Sequence, residues 1–409
     1  MLCRQLRSVV FSAITTCILA SGYAAETTPA DAGNPSGHGL ADDISASLVV
    51  CGRGARLISS FGHCSIRMTC PSAGLDNYYT YLIHATPKNI WRFFTEGICT
   101  GQFVVQKWDV FAKDYIEQNR PITERKLNLT TDEVRHLWMN LDKETLNPKS
   151  RAYSFLHSQC TSICADIIRG SLLNERMDTG ELPEALGGTL RDYTNYAVAG
   201  YPWELFCFQS LLGSEGEQLG TVWEKLAPTI IYPVWSQSSI VDAAGTARPV
   251  FTGESQVLFD GTYSPSKPSP LTPTVVFAIL LVITLILTVA EVFWKKMRRI
   301  TRVYDILLLC VQTLLGLFFT WLLLFSSASW MPGNMLPIVF NPLPALLWIL
   351  FHKRKAFRWV GIVYAVILAA MMVATPFVPQ LQWGHALIFA TLLIRTTAHI
   401  IPYRNKKSQ

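Results

Sequence analysis

After Pro273 the chain turns apolar and stays so for most of its remaining length, which limits the fold more than any other feature. Apolar stretches fall near 274–294, 303–325, 335–351, 359–376 and 381–400. Each is close to the roughly 20 residues that carry a helix across a bilayer, the third and fifth being marginal. Lys295, Lys296, Arg298, Arg299 and Arg302 lie between the first two stretches, and Lys353, Arg354, Lys355 and Arg358 between the third and fourth. The alternate loops, Ser326 to Asn334 and Pro376 to Gln380, hold no charged residue. Basic loops stay on the cytoplasmic side, so five spans put the tail, with Arg404, Lys406 and Lys407, in the cytoplasm and everything before the first span outside.

The start of the chain gives the same orientation independently. Arg4 and Arg7 precede an apolar run from Val9 to Ala20, and Gly22-Tyr23-Ala24 offers a small-x-small cleavage site, which together read as a secretory signal over 1–24. Thr16 and Ile18 make Cys17 a poor lipidation site. The remaining expected divisions are a leader over 25–42, an external catalytic domain over 43–260, a Pro/Ser-rich linker over 261–273, a membrane domain over 274–400 and a cytoplasmic tail over 401–409. The formal charge of +6 therefore reports membrane topology, and nucleic acid is not an expected partner.

The external part carries Cys51, Cys64, Cys70, Cys99, Cys160, Cys164 and Cys207, enough for at most three bridges if the compartment is oxidising. No CxxC occurs and the spacings fit no zinc template, so neither metal nor cofactor is expected.

"SASLVVCGRG", "CSIRMTC" and "NYYTYLIHA" have the short, β-branched or alternating character of strands. In "LTTDEVRHLWMNLDKETLN", Thr130 and Glu133 have capping-box spacing, while Val134, Leu137, Trp138 and Leu141 share one helical face and His136 falls on the polar side. A second helix starts near Cys160 in "YSFLHSQCTSICADIIRG", with Ile163, Cys164, Ile167, Ile168 and Leu172 as its buried flank. Cys160 would sit at the helix N-terminus, where backbone N–H groups and the dipole favour a thiolate, whereas Cys164 lies one turn inside and reads as core. A nucleophilic cysteine needs a base. His38 lies in the leader and His157 is too close to Cys160 in the loop to be the obvious choice. His63, after "SSFG" at the head of a strand, is the candidate, with a satisfied core histidine and a bridged cysteine as the alternative.

The ordered series "LVVCGRGARLISSFGHCSIRM", "IWRFFTEG", "NRPITERKLNLTTDEVRHLW", "YSFLHSQCTSICADII" and "YPWELFCFQSLLG" resembles the N-terminal periplasmic domain of the Lnb family, noncanonical lipoprotein N-acyltransferases of Gram-negative bacteria. The resemblance spans about 45–235. It implies an α+β fold: a permuted papain-like, NlpC-type domain with an antiparallel sheet and helices, followed by an all-α five-span membrane domain. The family's Phe-Gly-His falls on Phe61, Gly62 and His63, and its Asn-Cys-Ala/Thr-Thr on Gln159, Cys160, Thr161 and Ser162, with Asp166 matching an acidic residue six positions on. By that likeness Cys160 is the nucleophile and His63 the base. Gln159 in place of asparagine, Ile163 in place of arginine, and a missing Gly-Ile-Asp around Phe206 to Gln209 depart from the pattern. His84 is the expected orienter of the base.

The implied reaction moves an acyl chain from a phospholipid donor to the free amine of a diacylated lipoprotein through a Cys160 thioester. The first-turn amides or the Gln159 side chain would hold the oxyanion. Such an enzyme would sit in the inner membrane as a multi-pass protein with its N-terminal domain in the periplasm. Trp91, Phe93 and Phe94, or Trp203, Phe206 and Phe208, would either lean on the membrane, line an acyl groove, or be core. Glu291, His385 and Arg395 near span ends do not indicate a transport path. Rival readings are a cell-wall peptidase or amidase, a phospholipase, and a non-enzymatic assembly protein with Cys160 bridged to Cys164 or Cys207.

Overall fold

The computed structural model describes residues 43–55, 58–83, 92, 96, 99–147, 151–154, 157–179, 187–221, 224–263, 270–294, 296–327, 330–351 and 356–400. They divide into two compact units: one reaches Ala199 and resumes over Leu219–Ser266, the other takes Thr95–Gly97, Gly200–Gln218 and everything from Lys267.

The first unit mixes helices with antiparallel strands. Its strands are β1 (Ser45–Cys51), β2 (His63–Cys70), β3 (Leu75–Ile83), β4 (Cys99–Gln106), β5 (Ile122–Leu127), β6 (Arg151–Tyr153), β7 (Arg176–Asp178), β8 (Ser239–Val241), β9 (Ala247–Pro249) and β10 (Phe251–Phe259). Among the described residues, the main sheet has the order β10-β5-β1-β2-β3-β4-β6 and a small one the order β7-β8-β9. The three stretches expected to be strands are β1, β2 and β3, and β1 pairs with β2 in a register that sets Cys51 opposite His63.

Alternation along the strands decides what faces the core. Cys64, Ile66, Met68 and Cys70 point to one side of β2 and join a cluster with Leu48, Tyr79, Leu137, Cys160, Cys164 and Trp235. On the other side, Val49, Cys51 and Tyr78 pack on Phe111 and Ala112 of helix α1 (Trp108–Glu117).

Helix α2 (Thr131–Leu146) begins as its spacing predicts. Glu133 N–H donates to Thr130 Oγ1 at 3.3 Å, Thr130 N–H donates to Glu133 Oε2 at 2.8 Å, and Val134, Leu137 and Leu141 are buried. Truncating fully buried Leu137 to alanine removes its burial and leaves a cavity, a loss of about 2–5 kcal/mol. His136 is not simply solvated: its Nδ1 lies 3.2 Å from the Ser171 carbonyl oxygen. Helix α3 (Cys160–Arg169) lays Ile163, Cys164 and Ile168 into the core. Helix α4 (Leu190–Ala197) follows in the same unit.

Helix α5 (Pro202–Leu211) belongs to the second unit, although its sequence lies within the stretch expected to form the external domain. Phe206 stacks on His385 at 4.5 Å between ring centres, Ser210 Oγ is 2.9 Å from His385 Nε2, and Trp203 Nε1 donates to the Leu271 carbonyl. Gly213 N–H donates to the Trp330 carbonyl, and a Cβ there would sit 2.2 Å from the Pro332 carbonyl oxygen, so only glycine fits. The first unit resumes with α6 (Pro228–Ser236).

The helices after Lys267 in the second unit are α7 (Pro273–Phe293), α8 (Met297–Phe325), α9 (Leu336–Val339), α10 (Leu343–Phe351), α11 (Ala356–Ala374) and α12 (Trp383–Ile400). Among the described residues, α7 and α8 are long and apolar enough to cross a bilayer unaided. The expected third span is broken between α9 and α10, where Asn341 Nδ2 donates to the Ile338 carbonyl and Asn341 Oδ1 accepts from Leu343 N–H. Gly316 of α8 makes room for that break, since a Cβ there would lie 2.6 Å from Asn341 backbone atoms.

The helices also carry more polar chemistry than their sequence suggests. Buried Arg395 bonds Asp305 at 2.6 Å, Glu291 at 3.0 Å and Thr288 at 2.8 Å, gathering α7, α8 and α12 around one charge. In a low-dielectric layer such charges persist because they neutralise one another.

Candidate active site

Cys160 is the first residue of α3 and 6% exposed. Its place follows from Gln159 and Ser162. Gln159 N–H donates to Ser162 Oγ at 2.9 Å, and that hydroxyl donates back to the Gln159 carbonyl at 3.1 Å, closing the first turn. The side-chain amide of Gln159 is spent elsewhere: Nε2 donates to Tyr193 Oη at 2.8 Å and to the Leu226 carbonyl at 2.6 Å. It therefore anchors the turn, and its two N–H bonds are not spare for an oxyanion.

Burial pushes the Cys160 thiol up to about 11, with the neighbouring Cys164 thiol adding to the rise. The backbone amide of Cys64, together with the hydroxyl and amide of Thr161, opposes it without reversing it. Helix-start stabilisation of a thiolate is thus outweighed by desolvation. All eight described cysteines are free thiols, Cys160 included, so the bridges allowed by the count do not form among them. Cys164 lies in the core with its sulfur 3.7 Å from the Cys64 carbonyl oxygen.

His63 opens β2 beside that same Cys64, after a turn that needs Gly62. Gly62 has φ +85°, and a Cβ there would be 2.9 Å from the Cys51 carbonyl oxygen and 3.2 Å from Pro228. The glycine therefore serves the backbone turn. His63 Nε2 lies 2.6 Å from Thr80 Oγ1, and its ring stacks 6.3 Å from Tyr115. Although the residue keeps some surface, the ring is enclosed, and burial followed by the charge of Arg120 pulls its value down to about 3. His63 is a neutral imidazole in the resting site.

Cys160 thus lies at the backbone of Cys64, the residue after His63, and the two candidate side chains share no hydrogen bond among the described residues. Among the described residues the hydrogen bond of His63 goes to Thr80 and that of the Cys160 sulfur to Thr161, at 3.9 Å. Among the described residues His63 Nδ1 has no hydrogen-bond partner.

Thr161 and Ser162 are buried in the first turn, as the motif implies. Asp166 is not with them: its side chain is 66% exposed and reaches Arg169 at 3.4 Å. Six residues along a helix rotate a side chain by about 240°, away from Cys160. His84, Trp91, Phe93 and Phe94 lie outside the described residues.

Three groups escape a reading by motif. Thr80, the partner of His63, reads as an ordinary strand residue, yet the hairpin register that pairs it with Ser65 brings it to the histidine. His157 Nδ1 pairs with Glu224 Oε1 at 2.6 Å across 67 residues of sequence. Arg120, in the "NRP" turn before β5, sits 4.6 Å over the Tyr115 ring.

Comparison with known proteins agrees with this arrangement of parts. A family model described as the Lnb N-terminal periplasmic domain matches residues 40–196, and one described as the Lnb transmembrane domain matches 265–407. Neither a curated protein nor a solved structure matches the chain. Both matched models are halves of one family in their expected order, and the chain belongs to the Lnb family.

Proposed function

We propose that the protein is a lipoprotein N-acyltransferase of the inner membrane, with a permuted papain-like domain in the periplasm above five spans. The observation that carries the reading is a free cysteine at the first position of a helix, its thiol at the backbone of the residue next to an oriented histidine. Membership of the Lnb family supports this reaction class.

In this reading Thr80 holds Nε2 of His63, which leaves Nδ1 to take the Cys160 proton. The hydrogen bond between them forms when substrate binds, as catalytic contacts commonly tighten then. The thiolate attacks the ester carbonyl of a phospholipid, and backbone N–H groups of the first turn of α3 receive the oxyanion. The carbon–oxygen bond to glycerol breaks, the leaving alkoxide takes the proton back from His63, and an acyl thioester remains. The α-amine of a diacylglyceryl-cysteine then attacks the thioester, giving its proton to His63, and the Cys160 sulfur leaves. Gln159 positions the turn and is not the oxyanion donor.

The test is expression in a host depleted of its own lipoprotein N-acyltransferase, with mass spectrometry of a reporter lipoprotein's N-terminus. Wild type and Cys164→Ala are expected to give the N-acylated peptide, and Cys160→Ala and His63→Ala to give a free amine. A free amine from stably expressed wild type would remove the acyltransferase reading. Released fatty acid in its place would point to a phospholipase.

A further inference from the structure

Arg120 is a buried cation without a counter-charge among the described residues. The residue is 4% exposed, its Nε donates to the Gly52 carbonyl at 2.8 Å, and its guanidinium lies over Tyr115. Its terminal nitrogens make no hydrogen bond or ion pair among the described residues. Arg395, equally buried, has Asp305 and Glu291, and the less buried Arg67 has Asp76 and Glu124. The two ionisable groups on which the charge of Arg120 acts most plainly, His63 and Cys51, are both uncharged, since burial holds the one low and the other high.

An isolated charge removed from water is costly, and the cost falls when an anion comes to it. None of the described residues of the first unit supplies that anion. A guanidinium with free terminal N–H groups is matched to phosphate, which it grips with two parallel hydrogen bonds. The same charge lowers the basicity of His63, so an anion that neutralises it would raise that basicity.

Resting on the acyltransferase reading, we propose that Arg120 is the seat for the phosphodiester of the donor phospholipid. Headgroup binding and activation of His63 are then one event: the base gains strength when the ester is in place. A lipid without phosphate leaves the unpaired cation beside the histidine and reacts slowly.

The test compares phosphatidylethanolamine with diacylglycerol of the same acyl chains as donors to a reporter lipoprotein, using the full chain in detergent micelles. The readout is the ratio of kcat/KM for the two donors in wild type, Arg120→Lys and Arg120→Met. A ratio of about tenfold or more is expected in wild type, close to one in Arg120→Met and largely kept in Arg120→Lys, which retains the charge. Where Arg120→Met does not fold, Arg120→Gln reads the same ratio. An equal fall on both donors, with the ratio unchanged, assigns Arg120 to structure and overturns the proposal. So does a wild-type ratio near one. Wild type that transfers from neither donor overturns the acyltransferase reading itself.

Discussion

His63 Nε2 and Thr80 Oγ1 stand 2.6 Å apart, tying the head of β2 to the later half of the antiparallel strand β3 and occupying one of the two imidazole nitrogens. The partner is a hydroxyl, so it orients the ring without lending it negative charge. An imidazole held this way, with Arg120 near, stays neutral across the physiological range.

Thr80→Val keeps the shape of the side chain and removes the hydroxyl. Acyl transfer is expected to fall about tenfold or more, since a general base contributes about 10²–10⁴-fold and works only when positioned. Thermal unfolding in detergent should move little compared with Leu137→Ala. Unchanged transfer would exclude Thr80 as the orienter.

Cys160, with its thiol at about 11, should alkylate faster with every step in pH. Reactivity follows the thiolate, so the rate at the Cys160 peptide is expected to rise about tenfold per pH unit from 7 to 9 with no plateau. A plateau below pH 8 would mean a resting thiolate–imidazolium pair.

Acid should loosen the first unit through His63. Its folded value of about 3 lies below the ordinary value of about 6.5, so the unfolded chain takes the proton first. That contribution to stability is whole above about pH 6.5 and is lost as pH falls toward 3, on the order of 3 kcal/mol by pH 4. Unfolding of wild type and His63→Gln between pH 4 and 7 checks it: the wild type should show the steeper decline.

Gln159→Leu should destabilise, whereas Asp166→Asn should not. The first strips donors from the buried Tyr193 hydroxyl and Leu226 carbonyl, at about 1–3 kcal/mol for unsatisfied groups. The second alters an exposed contact worth at most about 1 kcal/mol. Equal effects on melting temperature would contradict the placement of the two residues.

What the sequence determined by itself is what local pattern can encode. Capping-box spacing placed the start of α2 at Thr130, i, i+4 periodicity placed Cys160 at the head of α3, and unbroken apolar runs placed α7 and α8. An ordered set of short motifs pointed to the Lnb family, and the two matched models agree. Tertiary structure alone decided what depends on contacts distant in sequence. Register across a hairpin brought Thr80 to His63, and long-range carbonyls took the Gln159 amide. Packing drew α5 into the membrane unit and clustered Arg395 with Asp305 and Glu291. The divide has a physical cause: capping and periodicity act within one or two turns of backbone, whereas burial and pairing depend on neighbours that exist only once the chain has folded.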